Sequence, residues 1–266
     1  MQKNSKYSML KDKVVIITGA SSGIGKAIAL LCATKQAKLG LIARNKERLS
    51  EVVNLAKSYS LDVKAAICDI RNQNQVEQTF QEFIKHFGKI DILINNAGTG
   101  IYKPIDEQTI EEIHDQMAVN YFGTVYCTKQ VLPTMIKQGQ GHIINIASVA
   151  GKTGFPKISG YAAAKHAVVG FSESCYFDLQ PKGIHVSVIN PSSVDTNFFE
   201  HETWKQFPHE ERHKTMASSE HIAKIILQTI KTKPFEVFTS KDAELKNVGK
   251  NLLPKFYRKK VMALKR

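Results

Sequence analysis

Residues 14–25 read VVIITGASSGIG, and this stretch decides the class of fold. Val14, Val15, Ile16 and Ile17 form a β-branched run of the kind that builds strands. Thr18 closes it, and Gly19, Gly23 and Gly25 follow in the spacing Gly-x-x-x-Gly-x-Gly, before a helical segment at Lys26–Lys35. Such glycines let the backbone turn tightly and approach a pyrophosphate, whose charge meets the positive end of the helix. Gly19, Ser21, Ser22, Gly23, Ile24 and Gly25 are therefore expected around a dinucleotide. A glycine-rich turn alone is weak; its place between strand and helix gives the reading its force.

The next strand is expected at Lys38–Ala43. Where a dinucleotide site usually has an acid for the ribose hydroxyl, this chain has Arg44. An arginine pairs with the 2′-phosphate of NADP, which an acid would repel, so NADP(H) is the expected cofactor, with Lys46 and Arg48 adding to the positive field. The competing reading is a solvated arginine at a helix start. Asp69, after a strand at Val63–Cys68, reads either as a contact to the adenine edge or as part of the loop and cap before the next helix. Both readings stand.

Further on, helices are expected at Lys46–Ser60 and Gln75–Phe87, the latter ended by Gly88, then a strand at Ile90–Ile94. This strand delivers Asn95-Asn96-Ala97-Gly98 to the sheet edge. Asparagine amides tie loops together, and Ala97 and Gly98 leave room for a ring; a purely structural turn is the alternative. One long helical run, Thr109–Gln138, contains Asn120, and strands at Gly141–Ala147 and Ile184–Ile189 flank another helix ending near Leu179. Five strand–helix alternations before residue 184 give an α/β, Rossmann-type doubly wound parallel sheet with helices on both faces.

Residues 148–165 read SVAGKTGFPKISGYAAAK. Tyr161 and Lys165 lie four apart in an alanine-rich helix and so share a face, while Ser148 ends a strand. A tyrosine with a pKa of about 10 needs roughly 4 kcal/mol to ionise at pH 7. An ammonium about 4 Å away supplies on the order of 4 kcal/mol at an effective dielectric near 20. Tyr161 then serves as general acid or base, Lys165 lowers its pKa, and Ser148 polarises a carbonyl. Taken alone, Tyr-x-x-x-Lys is simply a helix face.

With Thr18-Gly19-x-x-x-Gly23-x-Gly25, Asn95-Asn96-Ala97-Gly98, Asn120, Ser148 and Tyr161-x-x-x-Lys165 in order, the chain resembles the short-chain dehydrogenase/reductase family, in its compact single-domain branch, from about Lys11 to Lys233. The resemblance implies a seventh strand, expected at Glu236–Thr239, and a catalytic tetrad of Asn120, Ser148, Tyr161 and Lys165. It also implies hydride transfer between nicotinamide and a carbonyl carbon. Lys165 would hold the nicotinamide ribose, Asn120 would help position a water, and Asn95 and Gly98 would line the cofactor site. After the sixth strand, Pro191-Ser192 replaces the family's frequent Pro-Gly, a small strain if that position needs positive φ. Pro191, Val194 and Thr196 are expected at the cofactor. A homodimer or homotetramer is the implied assembly.

The domain plan expected is one catalytic domain over 1–245, with a substrate loop at about 191–217, and a basic amphipathic tail over 246–266. Phe198, Phe199, Trp204 and Phe207 in that loop suggest a pocket for an apolar or lipid-like carbonyl or alcohol, or else simply pack the loop down. The 37 Lys+Arg exceed the 24 Asp+Glu, giving a net charge of +13. From Lys246 onward there are eight basic side chains and no acidic one, interleaved with Leu252, Leu253, Phe256 and Met262. Such a tail suits peripheral contact with an anionic membrane, or packing on the body with its lysines solvated. Nucleic acid ranks behind both, since the charge is terminal and no nucleic-acid module is visible.

The N-terminus lacks a long apolar segment and no apolar run approaches a bilayer span, so a cytoplasmic protein is expected. Cys32, Cys68, Cys127 and Cys175 are too scattered for a zinc knuckle or redox pair. His209-Glu210-Glu211-Arg212-His213 matches the His-Glu-x-x-His metal pattern, but its polar flanks and Pro208 favour a solvated loop. The rival function is a nucleotide-sensing protein on the same fold, engaging a partner or membrane through the tail; a broken tetrad would favour it.

Overall fold

The β-branched runs become strands whose alternate side chains enter two separate cores. The computed structural model describes residues 9–60, 62–200, 202–207 and 216–263. The strands are β1 (Val14–Thr18), β2 (Lys38–Ala43), β3 (Val63–Ile67), β4 (Ile92–Asn95), β5 (Gly141–Ile146), β6 (Ile184–Asn190), β7 (Val194–Asp195), β8 (Ala217–Ser218) and β9 (Glu236–Phe238). Seven of them form one sheet in the order β3-β2-β1-β4-β5-β6-β9, every neighbour pair parallel. Strands β7 and β8 pair separately. The chain winds outward from β1 to β3 and then returns to place β4 on the other side of β1, which opens a crevice at the carboxyl ends of these strands.

Helices α1 (Gly23–Thr34), α2 (Lys46–Lys57) and α7 (Ser219–Thr232) cover one face, where Ile28, Leu49 and Ile226 meet Val15, Ile17, Leu39 and Leu41. Helices α3 (Gln73–Phe87) and α5 (Gly123–Gln138) cover the other, where Phe80, Phe83 and Val131 meet Val14, Ile16 and Leu93. Adjacent residues of β1 thus serve opposite cores, as a pleated strand requires. Each core supplies several fully buried aliphatic or aromatic side chains, worth about 1.5–3 kcal/mol apiece.

Between α4 (Ile110–Met117) and α5, the expected single helical run is interrupted by a π-helical turn at Ala118–Phe122. Helix α6 (Ser159–Leu179) follows β5, and the chain ends in α8 (Lys241–Leu252) and α9 (Pro254–Ala263). Caps follow local chemistry: Asn45 and Asn72 accept from Arg48 N and Gln75 N, Thr109 and Glu112 form a capping box, and Gly88 ends α3 at φ 73°.

Polar groups close the amino end of the sheet. The strand expected from Ile90 begins at Ile92 because the preceding Asp91 is buried as an anchor: its carboxylate accepts from Val14 N and from the Lys13 and Lys89 ammoniums, each at 2.9 Å. At the start of β5, His142 is buried with Nε2 2.9 Å from Ser187 Oγ.

Candidate functional site

At the carboxyl end the glycine loop is held by contacts that leave no room for side chains. A Cβ on Gly25 would lie 2.1 Å from Gly19 O, and one on Gly19 would lie 2.8 Å from Ala97 Cα. Gly19 also adopts φ 66°, in the left-handed region that favours glycine. Thr18 and Asn96 lock this junction: Thr18 Oγ1 accepts from Asn96 N (3.0 Å) and Ala97 N (3.1 Å), while Asn96 Nδ2 donates to Thr18 O at 2.9 Å. Ser22 precedes α1 without capping it, so the first amides of the helix face the loop uncapped.

These elements border a cavity of about 1490 Å³. Gly19, Ser21, Ser22, Gly23, Ile24, Arg44, Asp69, Ala97, Gly98, Pro191, Val194 and Thr196 all line it, along with Ser148, Tyr161 and Lys165. Its volume exceeds the roughly 300–1,000 Å³ of ordinary ligand pockets, which suits a dinucleotide with a second molecule beside it. Gly25 does not line the cavity; it supports the loop from behind.

Asn95, expected at the cofactor, does not line it either. Its side chain is buried and Nδ2 donates to Asn145 Oδ1 (2.9 Å) and Thr128 Oγ1 (3.1 Å), joining β4 to β5 and α5. As the last residue of β4 it points into the sheet's cover, and the alternation of the strand hands the cavity to Asn96. Asn96 therefore has the place assigned to its neighbour. A one-residue shift of facing is invisible in an Asn-Asn pair.

Arg44 and Arg48 both border the cavity, but Lys46 does not. Arg48 also pairs across it with Glu200 at 3.6 Å. Asp69 is held below its ordinary range chiefly by its hydrogen bonds with Arg71, with Arg44 contributing at longer range. Arg71 occupies both Asp69 oxygens and reaches Asp115 as well. The cap of α3 is Asn72, so Asp69 belongs to the loop without being the cap itself.

Ser148 begins a short turn by accepting from Ala150 N at 3.1 Å, and a hydrogen bond links it to the Tyr161 phenol. Lys165 is buried and its ammonium donates to Ile146 O at 2.8 Å. Burial pushes Tyr161 up to about 12, which the Ser148 hydrogen bond only partly offsets. Burial pushes Lys165 down to about 8. The expectation that Lys165 lowers the tyrosine is not met here, because its ammonium lies 5.8 Å from the ring centroid and desolvation dominates.

Asn120 is buried within the π-helical turn and does not reach the cavity wall. Its Nδ2 donates to Gln116 O (2.8 Å) and Thr99 O (2.7 Å), and its Oδ1 accepts from Thr99 N at 3.3 Å. It thereby fixes the Gly98–Thr99 segment from behind. Ser192 is not among the residues with positive φ, so Pro-Ser carries no left-handed strain; Ser192 N donates to Thr239 Oγ1 at 3.2 Å.

On the far side, Phe198, Phe199, Trp204 and Phe207 both pack together and line the cavity. Trp204 Nε1 donates to Gly100 O at 2.8 Å, its ring stacks on Tyr102 at 5.1 Å, and Phe198 lies 5.3 Å from Tyr161. The His209–His213 pattern lies outside the described residues. Helix α8 begins at Lys241, ahead of the expected tail boundary, and Lys250 Nζ donates to Lys152 O. Lys246 and Val261 form part of the cavity wall, which the sequence reading missed. The signal was the pairing of Ala243 with Asn247 and Lys250 on one face of α8, legible only once a cavity lay opposite.

A family model described as short chain dehydrogenase matches residues 13–206. Dehydrogenase/reductase SDR family member 7B of Danio rerio is 37% identical over 203 residues, covering 74% of this chain and 66% of that protein. Among solved structures, a short chain dehydrogenase/reductase from Burkholderia phymatum in complex with NAD has a TM-score of 0.81 at 27% identity, covering 91% of this chain and 95% of that one. An alcohol dehydrogenase from Thermococcus sibiricus complexed with 5-hydroxy-NADP has a TM-score of 0.77 at 27% identity, covering 86% and 96%. The chain belongs to the short-chain dehydrogenase family, whose members are oxidoreductases acting on small molecules.

Proposed function

We propose that this short-chain dehydrogenase reduces a carbonyl compound, or oxidises the corresponding alcohol, with NADP(H) as cofactor and Tyr161 as the general acid or base. The observation that carries the reading is the meeting of Ser148, Tyr161 and Lys165 in the cavity that the glycine loop borders. The cradle fits a dinucleotide: Gly19 and Gly23 both have positive φ, and the uncapped start of α1 supplies amides for phosphate. Both structural neighbours named above are nicotinamide dinucleotide complexes, one of NAD and one of an NADP analogue. When bound, the nicotinamide supplies or accepts the hydride.

The chain's own groups handle the proton. With its phenol pushed up to about 12, Tyr161 meets a substrate in its proton-donating form, which suits carbonyl reduction. Starting the reverse direction from this form at pH 7 requires about 7 kcal/mol of ionisation. Ser148 holds the phenol and polarises the substrate oxygen. Lys165 supplies a positive charge on the ribose side of the cavity, and Asn120 positions the Gly98–Thr99 segment rather than touching substrate. Arg44 and Arg48 at the cavity edge support the choice of NADP(H), through their fit to a 2′-phosphate.

The catalytic unit is proposed as one domain, with residues 191–217 as its substrate loop. The boundary at 245 falls inside α8, so the basic tail continues the cavity wall instead of hanging free. A homodimer or homotetramer is the proposed assembly, supported by exposed Phe122 and Ile136 beside α5.

The test is NADPH consumption by purified protein across polar and lipid-like carbonyl compounds, with NADPH affinity measured alongside and Tyr161→Phe as control. Consumption lost in the variant, with affinity kept, is the expected result. Turnover retained by Tyr161→Phe would overturn the assigned role.

A further inference from the structure

Helix α8 is amphipathic in the wrong sense for a helix that packs on a soluble body. Its inward face holds Ala243, Asn247 and Lys250, whereas Leu245, Val248 and Leu252 form a stripe on the opposite side. Leu245 is 71% exposed and Leu252 74%. The stripe continues through the joint and into α9, where Leu253 is exposed, Phe256 is 68% exposed and Met262 71%. Six of the fifteen large apolar side chains exposed among the described residues thus fall between 245 and 262. Scattered exposed apolar residues are normal, but a continuous patch implies something that covers it.

The charge identifies that cover. Lys255, Arg258, Lys259 and Lys260 are exposed on the same helix as Phe256 and Met262, and no acidic residue follows Glu244. A second copy of the chain would bring the same positive charge against it and be repelled. An anionic bilayer accepts apolar side chains into its acyl boundary and attracts lysine and arginine to its headgroups. The patch also lies beside the cavity, since Lys246 and Val261 of the same two helices line its wall, as do Phe198, Phe199 and Trp204.

We propose that α8 and α9 seat this protein on an anionic membrane surface, with the cavity beside the bilayer, so that its carbonyl substrate is a membrane-dissolved lipid drawn directly from the acyl layer. The substrate clause rests on the reductase reading; the docking clause does not. Leu252 and Phe256 touch neither the cavity nor the catalytic groups, so they report on docking alone.

The experiment is flotation of the full chain with vesicles of phosphatidylcholine, with and without phosphatidylserine, at low and high salt. The chain floats with the phosphatidylserine vesicles, less so at high salt, and not with phosphatidylcholine alone. Leu252→Glu with Phe256→Glu abolishes flotation, and Lys255→Gln with Lys259→Gln lowers partitioning by more than about tenfold. Tyr161→Phe floats as the parent does. Sedimentation without lipid is run in parallel: a parent that does not float, but whose oligomer breaks up in the Leu252→Glu, Phe256→Glu variant, overturns docking in favour of a second copy. Flotation unchanged in both surface variants also overturns it. For the substrate clause, turnover of a long-chain ketone embedded in anionic vesicles falls in the Leu252→Glu, Phe256→Glu variant while a water-soluble ketone is reduced as before. Equal loss on both substrates overturns that clause. A chain that floats but reduces nothing leaves docking standing and sinks the reductase reading instead.

Discussion

At the amino end of the sheet, burial alone would raise the Asp91 carboxyl, yet Val14 N, Lys89 and Lys13 hold it below its ordinary value. At the carboxyl end, burial acts on Tyr161 and Lys165 with far fewer partners and wins, moving one up to about 12 and the other down to about 8. Both ends desolvate ionisable groups, but Asp91 is compensated and the Tyr161–Lys165 pair is not. Where the fold needs a fixed anchor it surrounds the charge with donors. Where a proton is to be exchanged it leaves the phenol protonated, ready to donate, and only Lys165 near its change of state.

If this contrast is right, the two ends separate in mutagenesis. The largest effect is expected for Tyr161→Phe, which lowers turnover by about 10³-fold while unfolding free energy stays close to the parent's. A comparable loss of stability would erase the distinction. Next comes Asp91→Ala, which strands Val14 N and two lysines and lowers stability by about 3 kcal/mol in urea unfolding. Activity per folded molecule is unchanged there, and a selective loss of turnover would break the comparison from the other side.

Within the carboxyl end, Arg44→Asp sharpens the picture by testing a group that binds without exchanging protons. It weakens NADPH binding by about thirtyfold with a much smaller change for NADH, read by titration of the purified protein. Equal losses for both dinucleotides would remove the 2′-phosphate from its account.

The smallest effect is a pH slope at the amino end. Burial, with lesser contributions from His185 and Lys233, pushes His142 from 6.5 down to about 3, so it is neutral in the folded chain. The unfolded chain takes up a proton as pH falls below 6.5, and the folded one does so only near 3. Stability therefore declines on acidification through that window, by at most about 1.4 kcal/mol per pH unit, and is unaffected by this group above it. Unfolding measured from pH 7 to 5 gives a flatter slope in His142→Gln. An identical slope would mean that another group sets it.

The sheet was legible because its signals are local: β-branched runs, glycine at turns and helical amphipathicity are each read within a dozen residues. The glycine loop and the Ser148–Tyr161–Lys165 group were legible for the same reason, and all but Gly25 of these residues line the cavity. What escaped depends on facing and on distance through space. Asn95 and Asn96 differ only in which side of β4 they leave by, and Lys246 lines the cavity from α8, a helix that Lys250 ties to Lys152 across the fold. The pKa of Tyr161 escaped too, since a lysine four residues away along a helix says nothing of how thoroughly the phenol is shut from water.

The π-helical turn that holds Asn120 has an implication for the chain's tolerance to changes in length. A π-helical turn takes one more residue than an α-turn, so from α4 through α5 the chain reads as a regular helix carrying a single insertion. Deleting one residue in an ordinary helix rotates everything before it by about 100° and ruins its packing. Here a deletion within Ala118–Phe122 would relax the backbone into plain α geometry and let both flanking segments keep their faces. The casualty would be the grip of Asn120 on Thr99, a deletion that the scaffold absorbs and the neighbouring loop registers.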